Sequence, residues 1–164
     1  MSSKQIVLGP YLLSPSATGI TVAWEMRQAE SLSVSFEAGG ERRQVRAVRE
    51  KEPARKAQPE GEYLYTAILD HLAPDTTYSY AIQCGGETLA TSAFRTQKEH
   101  PEHLHLVTLS DSHLFYNGER FGKMVEHVQP DFLLHSGDIS FGTGFQHDQY
   151  PDNWFHKIPA VLAS

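Results

Sequence analysis

Residues 19–26, GITVAWEM, alternate strictly: Ile20, Val22, Trp24 and Met26 fall on one face, and Thr21, Ala23 and Glu25 on the other. A period of two sets one row of side chains against a core and turns the other toward water, which is the behaviour of a half-buried strand. The run LSVSF repeats the pattern with Leu32, Val34 and Phe36. EYLYTAIL and TYSYAIQ are rich in the β-branched and aromatic residues that pack well on a pleated surface. Between YSYAIQ and TLATSAFRT stands CGGE, a hairpin turn, because glycine accepts the positive φ that tight hairpins require. No run of helical period interrupts this part of the chain. Short strands at a spacing of about 8–12 residues predict an all-β sandwich over residues 1–97.

At residues 98–103 the texture changes. KEHPEH is polar, contains Pro101 and reads as a linker. Beyond it, HLHLVTLS is an apolar strand. GERFGKMVEHVQ is a short helix, with Phe121, Met124, Val125 and Val128 three to four positions apart, and DFLLHSG is a second apolar strand. That order is β-α-β, which implies parallel strands joined by a right-handed crossover. Near-continuous apolar strands predict burial on both faces. DNWFHKIPAVLAS can begin another helix, broken or delayed by Pro159. Residues 104–164 thus read as the first β-α-β part of an α/β domain.

Composition limits what such a chain can do. Its 164 residues carry a net charge of -6, which argues against a nucleic-acid partner, since that function usually needs a basic domain or face. The basic stretch ERRQVRAVREKEPARKAQPEGE lies between strand patterns and reads as a solvated edge, where charge discourages strand addition. The one cysteine, Cys84, excludes an intrachain disulfide and fits a reducing compartment. No stretch approaches the roughly 18–20 apolar residues of a membrane span, and MSSKQIVLGPYLLSP lacks a signal-peptide core. The sequence as it stands predicts a cytoplasmic location and no membrane partner; removal of a leader would make it periplasmic or secreted.

The chemistry-bearing residues sit just past the two apolar strands. Asp111 follows the first and Asp138 the second, and in an open parallel sheet ligands gather beyond the carboxyl ends of the strands. His113, two residues after Asp111, can reach the same point from an extended loop. Gly137 lets the backbone approach whatever Asp138 holds. Oxygen and imidazole donors together suit Mn, Fe, Zn, Ni or Co. Taken singly, Asp-x-His and Gly-Asp are equally the mark of cap and turn residues; their joint placement at two strand ends makes Asp111, His113 and Asp138 candidate metal ligands. Eight of the nine histidines lie between His100 and His156, but only His113 has such a context. His135 reads as a strand residue, and His147 and His156 as loop or helix residues.

Two resemblances follow from these residues. LAPDTTY, with Leu72, Pro74, Thr76 and Tyr78 at alternate positions before a strand, resembles the tyrosine corner of fibronectin type III domains, and Trp24 would be the core tryptophan of the second strand. LSDSHL and LLHSGDIS resemble the first two blocks of the calcineurin-like metallophosphoesterases, D-x-H and G-D. An N-terminal fibronectin-like domain opening LGPYL before those blocks resembles the purple acid phosphatase arrangement. The resemblance implies a metal-dependent phosphoesterase, a hydrolase that cleaves phosphate esters with a metal-bound hydroxide. Asp111 and His113 would hold a first ion, Asp138 would bridge to a second, and Fe, Mn and Zn are the candidate metals of the dinuclear centre.

The chain departs from the purple pattern at two points. His113 stands where those enzymes have glycine, and Phe141 stands where they have the iron-bound tyrosine, so the site should be non-purple. The remaining blocks, beginning with G-N-H-D/E, do not occur before Ser164. No complete catalytic set is therefore present, and the 164-residue chain is expected to be inactive alone. Its exposed apolar α/β surface is expected to promote self-association. The alternative function is a fibronectin-like interaction module with a non-catalytic α/β extension.

Overall fold

The computed structural model describes residues 5–27, 31–50, 61–113, 118–139 and 154–163. Strands β1 (Ile6–Leu13), β2 (Ile20–Arg27), β3 (Leu32–Ala38), β4 (Glu41–Arg46), β5 (Val48–Arg49), β6 (Glu62–Leu69), β7 (Thr77–Cys84) and β8 (Glu87–Arg95) come first. They form two antiparallel sheets, ordered β1-β2-β6-β5 and β4-β3-β7-β8. After them come β9 (Leu106–Leu109), α1 (Gly118–Val128), β10 (Phe132–His135), a 3-10 turn (Phe155–Lys157) and the short helix α2 (Pro159–Leu162). β9 and β10 pair in parallel.

The core lies between the two antiparallel sheets. Ile20, Val22, Trp24 and Met26 of β2 face Leu32, Val34 and Phe36 of β3 and Tyr78, Tyr80 and Ile82 of β7 across it. Trp24 is 0% exposed and stacks on Tyr65, with ring centroids 6.1 Å apart. Truncating a buried aromatic of this size typically costs about 3–5 kcal/mol, so this one side chain carries a large share of the sandwich's stability. The LAPDTTY corner closes one end. Tyr78 Oη accepts the Ala73 N–H at 2.8 Å, and Thr76 Oγ1 donates to the Pro74 carbonyl at 2.8 Å. Thr96, 4% exposed, completes the corner: its hydroxyl donates to the Ala73 carbonyl and accepts the Thr76 N–H. A buried hydroxyl so satisfied adds specificity without the cost of a stranded polar group.

The structure departs from simple alternation at β2. Ala23 and Glu25, on the face expected to meet water, are 0% and 1% exposed. The chain's last described segment accounts for part of this cover. Tyr11 pairs with Ala23 and so shares its face, and its ring packs 5.0 Å from Phe155. α2 and the 3-10 turn both rest on β1. The Ala163 carbonyl then accepts two hydrogen bonds from the sandwich, from Tyr80 Oη at 3.1 Å and Ser92 Oγ at 2.9 Å. Pro159 stands at the first turn of α2, where its missing N–H costs nothing.

The same segment grips the α/β part. Trp154 is buried against Phe121 and, edge-on, against His135. The start of α1 lies so close that a Cβ on Gly118 would sit 2.7 Å from the Lys157 carbonyl oxygen, which requires glycine there. β9 and β10 do not have the two-sided burial their apolar sequences predict. Leu106 is 46% and Leu134 50% exposed; among the described residues Trp154 meets this two-stranded sheet edge-on at His135. No helix among the described residues is long and apolar enough to cross a membrane. Lys51, Arg55 and Lys56 of the basic stretch lie outside the described residues. Arg42, Arg43 and Arg46 line β4, an edge strand of its sheet.

Burial pushes the Tyr80 phenol up to about 12, partly offset by the neighbouring Ser92 hydroxyl. The folded state therefore keeps its proton where an unfolded tyrosine, near 10, has lost it. Between those two values the unfolded chain binds fewer protons, so stability falls as pH rises. Urea unfolding between pH 8 and 12 should show this loss starting above about pH 10, and Tyr80→Phe should make it shallower.

Candidate metal centre

The parallel register decides which loops meet. Phe132 pairs with Leu106 and His135 with Leu109, so β9 and β10 end side by side. The ladder then continues into the loops. Ser136 N–H donates to the Leu109 carbonyl at 3.0 Å, Asp111 N–H to Gly137 at 3.1 Å, and His113 N–H to Asp138 at 3.1 Å. Each loop thus holds the other in place, and the carboxylates of Asp111 and Asp138 and the imidazole of His113 converge. One donor atom from each lies within 4.8 Å of the others.

All three residues have left-handed backbones, with φ of 52° for Asp111, 45° for His113 and 52° for Asp138. Such conformations are uncommon outside glycine, though Asp and His adopt them more readily than most residues, and the cross-loop bonds fix all three here. Gly137 has φ +134°, a value side chains avoid, yet a Cβ there would meet nothing within 4 Å. Its glycine is required by backbone conformation.

The donor set fits a cation. Two carboxylates sit beside one imidazole, and among the described residues neither Asp111 nor Asp138 forms an ion pair with Lys or Arg. Like charges this close favour a bound positive charge. Metal–ligand bonds of roughly 2.0–2.2 Å bring donors somewhat nearer to one another than 4.8 Å, which rotation of the two exposed aspartates supplies. Ser110 Oγ donates to Asp111 Oδ2 at 2.7 Å and orients that carboxylate. Among the described residues no other group of three such side chains comes together. Phe141 and His147 lie outside the described residues, and His156 is exposed on the 3-10 turn.

His135, read from the sequence as a strand residue, and Ser112, which the sequence did not single out, are built into the site. His135, the last residue of β10, has its Nε2 2.9 Å from Ser112 Oγ, and its Nδ1 accepts the Gly137 N–H at 3.2 Å. Burial lowers the His135 pKa, and the nearby Asp111 carboxylate opposes that shift. Only the strand pattern signalled this residue, and a strand pattern does not show what a terminal side chain turns toward.

A β-sandwich followed by a parallel β-α-β segment, with carboxylates and an imidazole at its strand ends, defines the architecture. Residues 9–98 match the family model of the purple acid phosphatase N-terminal domain, and the chain belongs to that family. The fold is similar to that of a purple acid phosphatase, PPD1, from yellow lupin (Lupinus luteus) seeds, with a TM-score of 0.71 at 17% identity over 93% of this chain and 33% of that one. It is also similar to the structure of PhoD, with a TM-score of 0.59 at 15% identity over 99% of this chain and 38% of that one. The chain therefore spans well under half the length of either structure. No curated protein matches it.

Gly137→Ala should strain the loop by about 1 kcal/mol or more, since alanine resists that φ. Amide exchange at Asp111 and His113, whose N–H groups bond to the 137–138 backbone, should speed up while exchange in β2 and β7 stays unchanged. Hydrogen-exchange NMR reads both sets at once.

Proposed function

We propose that this chain contributes three metal ligands, Asp111, His113 and Asp138, to a metal-dependent phosphoesterase whose substrate is a phosphate ester. The observation that carries the reading is their convergence within 4.8 Å at the carboxyl ends of two parallel strands. The purple acid phosphatase family and the similar folds support the hydrolase class. A bound metal would supply Lewis acidity, polarising the phosphate and making water a stronger nucleophile near neutral pH. The chain's own residues fix where that ion sits: Asp111 and His113 from one loop, Asp138 from the other. One ion of the Fe, Mn or Zn kind is served by these three donors, and a dinuclear centre requires further ligands. The sandwich at 1–97, read as fibronectin type III-like, and the α/β segment at 104–164 have separate duties in this reading, support and chemistry.

Metal analysis after incubation with Mn²⁺ or Zn²⁺ and desalting should find metal on the wild-type chain and much less on Asp138→Asn; equal content would overturn the reading. The 164-residue chain alone should hydrolyse a chromogenic phosphomonoester no faster than background. Turnover that Asp138→Asn abolishes would show that three ligands suffice.

The expectation of self-association draws on a different observation. Among the described residues β9 and β10 form a two-stranded sheet bearing the exposed Leu106 and Leu134, and such small sheets are marginal without further cover. A second copy is the occupant we propose for this face. Light scattering across a concentration series should show mass rising above that of one chain, and Leu106→Lys with Leu134→Lys should suppress the rise. A constant monomer mass would reject it.

A further inference from the structure

We propose that His135 is a positioning residue that clamps Asp138 to the loop carrying Asp111 and His113, and that this clamp sets the site's affinity for its metal. The inference rests on the metal reading above and extends it to a residue outside the ligand set.

The clamp is a closed path of three hydrogen bonds. Gly137 N–H donates to His135 Nδ1 at 3.2 Å. Because Nδ1 accepts, the neutral ring carries its proton on Nε2, which points at Ser112 Oγ 2.9 Å away. Ser112 Oγ accepts there and sends its own proton to the Ile139 carbonyl at 3.1 Å. The path leaves the chain one residue before Asp138 and returns one residue after it. Its midpoint, Ser112, stands between Asp111 and His113. Every donor and acceptor on the way is used once, which is the condition under which a polar network specifies a single arrangement.

Both ring nitrogens are committed, so His135 holds the ligand loops rather than the ion itself. The ring plane is set from the other side by Trp154, edge-on at 4.8 Å and 89°. Left-handed backbones stand at all three ligand positions, an uncommon conformation even for Asp and His, and restraint from outside the loops helps hold them there. Groups that orient metal ligands from outside typically change affinity by about 10–100-fold when removed.

The competing explanation is that His135 only packs on Trp154. His135→Phe keeps an aromatic ring against Trp154 and loses both hydrogen bonds, while Ser112→Ala leaves the histidine ring untouched. Titration with Co²⁺ alone, followed by absorbance and calorimetry, should show both variants binding about tenfold or more weakly than wild type, with thermal unfolding of the sandwich unchanged. His135→Gln, which offers an N–H near the Nε2 position, should recover part of the loss. In the metal-free wild type, long-range ¹H–¹⁵N spectra should show the His135 proton on Nε2. Wild-type affinity in His135→Phe and Ser112→Ala, with binding lost in Asp138→Asn, would overturn the clamp and leave the metal site standing. Binding that Asp138→Asn does not change would overturn the metal site and the clamp together. A proton on Nδ1 would overturn the clamp without any variant.

Discussion

The parallel register of β9 and β10 is the constraint on which the grouping of Asp111, His113 and Asp138 depends. Four residue pairs align the two strands, and three further backbone bonds carry the alignment past their ends. Side chains on a strand alternate faces, so a slip of one residue would turn Asp138 away from Asp111 and His113 and undo the cluster. Asp111, His113 and Asp138 are not placed by backbone preference alone. Their backbones lie in an uncommon region, and the cross-loop bonds hold them there. Removing that alignment would leave two ordinary acidic loops.

A two-stranded sheet cannot enforce such a register alone. The support comes from the segment at residues 154–163, which contacts both halves of the molecule. On one side Phe155 meets Tyr11, and the Ala163 carbonyl takes hydrogen bonds from Tyr80 and Ser92. On the other, Trp154 meets Phe121 and His135, and Lys157 crowds Gly118. The sandwich therefore does more than precede the site. Its Tyr80 and Ser92 anchor the element that braces the ring of His135, and His135 in turn bonds to the loops of Asp111 and Asp138.

Much of this was legible in the chain. The alternation of Ile20, Val22, Trp24 and Met26 gave the core face of β2, because burial on one side imposes a period of two. The order apolar strand, amphipathic helix, apolar strand gave the β-α-β segment, and the position of Asp111 and Asp138 after those strands brought them to one edge. Three features were not legible. The burial of Ala23 and Glu25 depends on what covers that face of β2, in part Tyr11 packed against the distant Phe155, which periodicity within one strand does not encode. The exposure of Leu106 and Leu134 depends on what covers a sheet, whereas an apolar run reports only that cover is wanted. The link from His135 to Ser112 and Gly137 depends on side-chain direction at a strand end, where pattern gives no information.

The two tryptophans occupy different worlds. Trp24 lies in the dry centre of the sandwich, stacked on Tyr65, and Trp154 lies where the 154–163 segment meets the α/β part, against an imidazole. The chain has no others. Each half of the molecule thus carries its own optical reporter, and the melting of the scaffold can be watched separately from the loosening of the segment that braces His135.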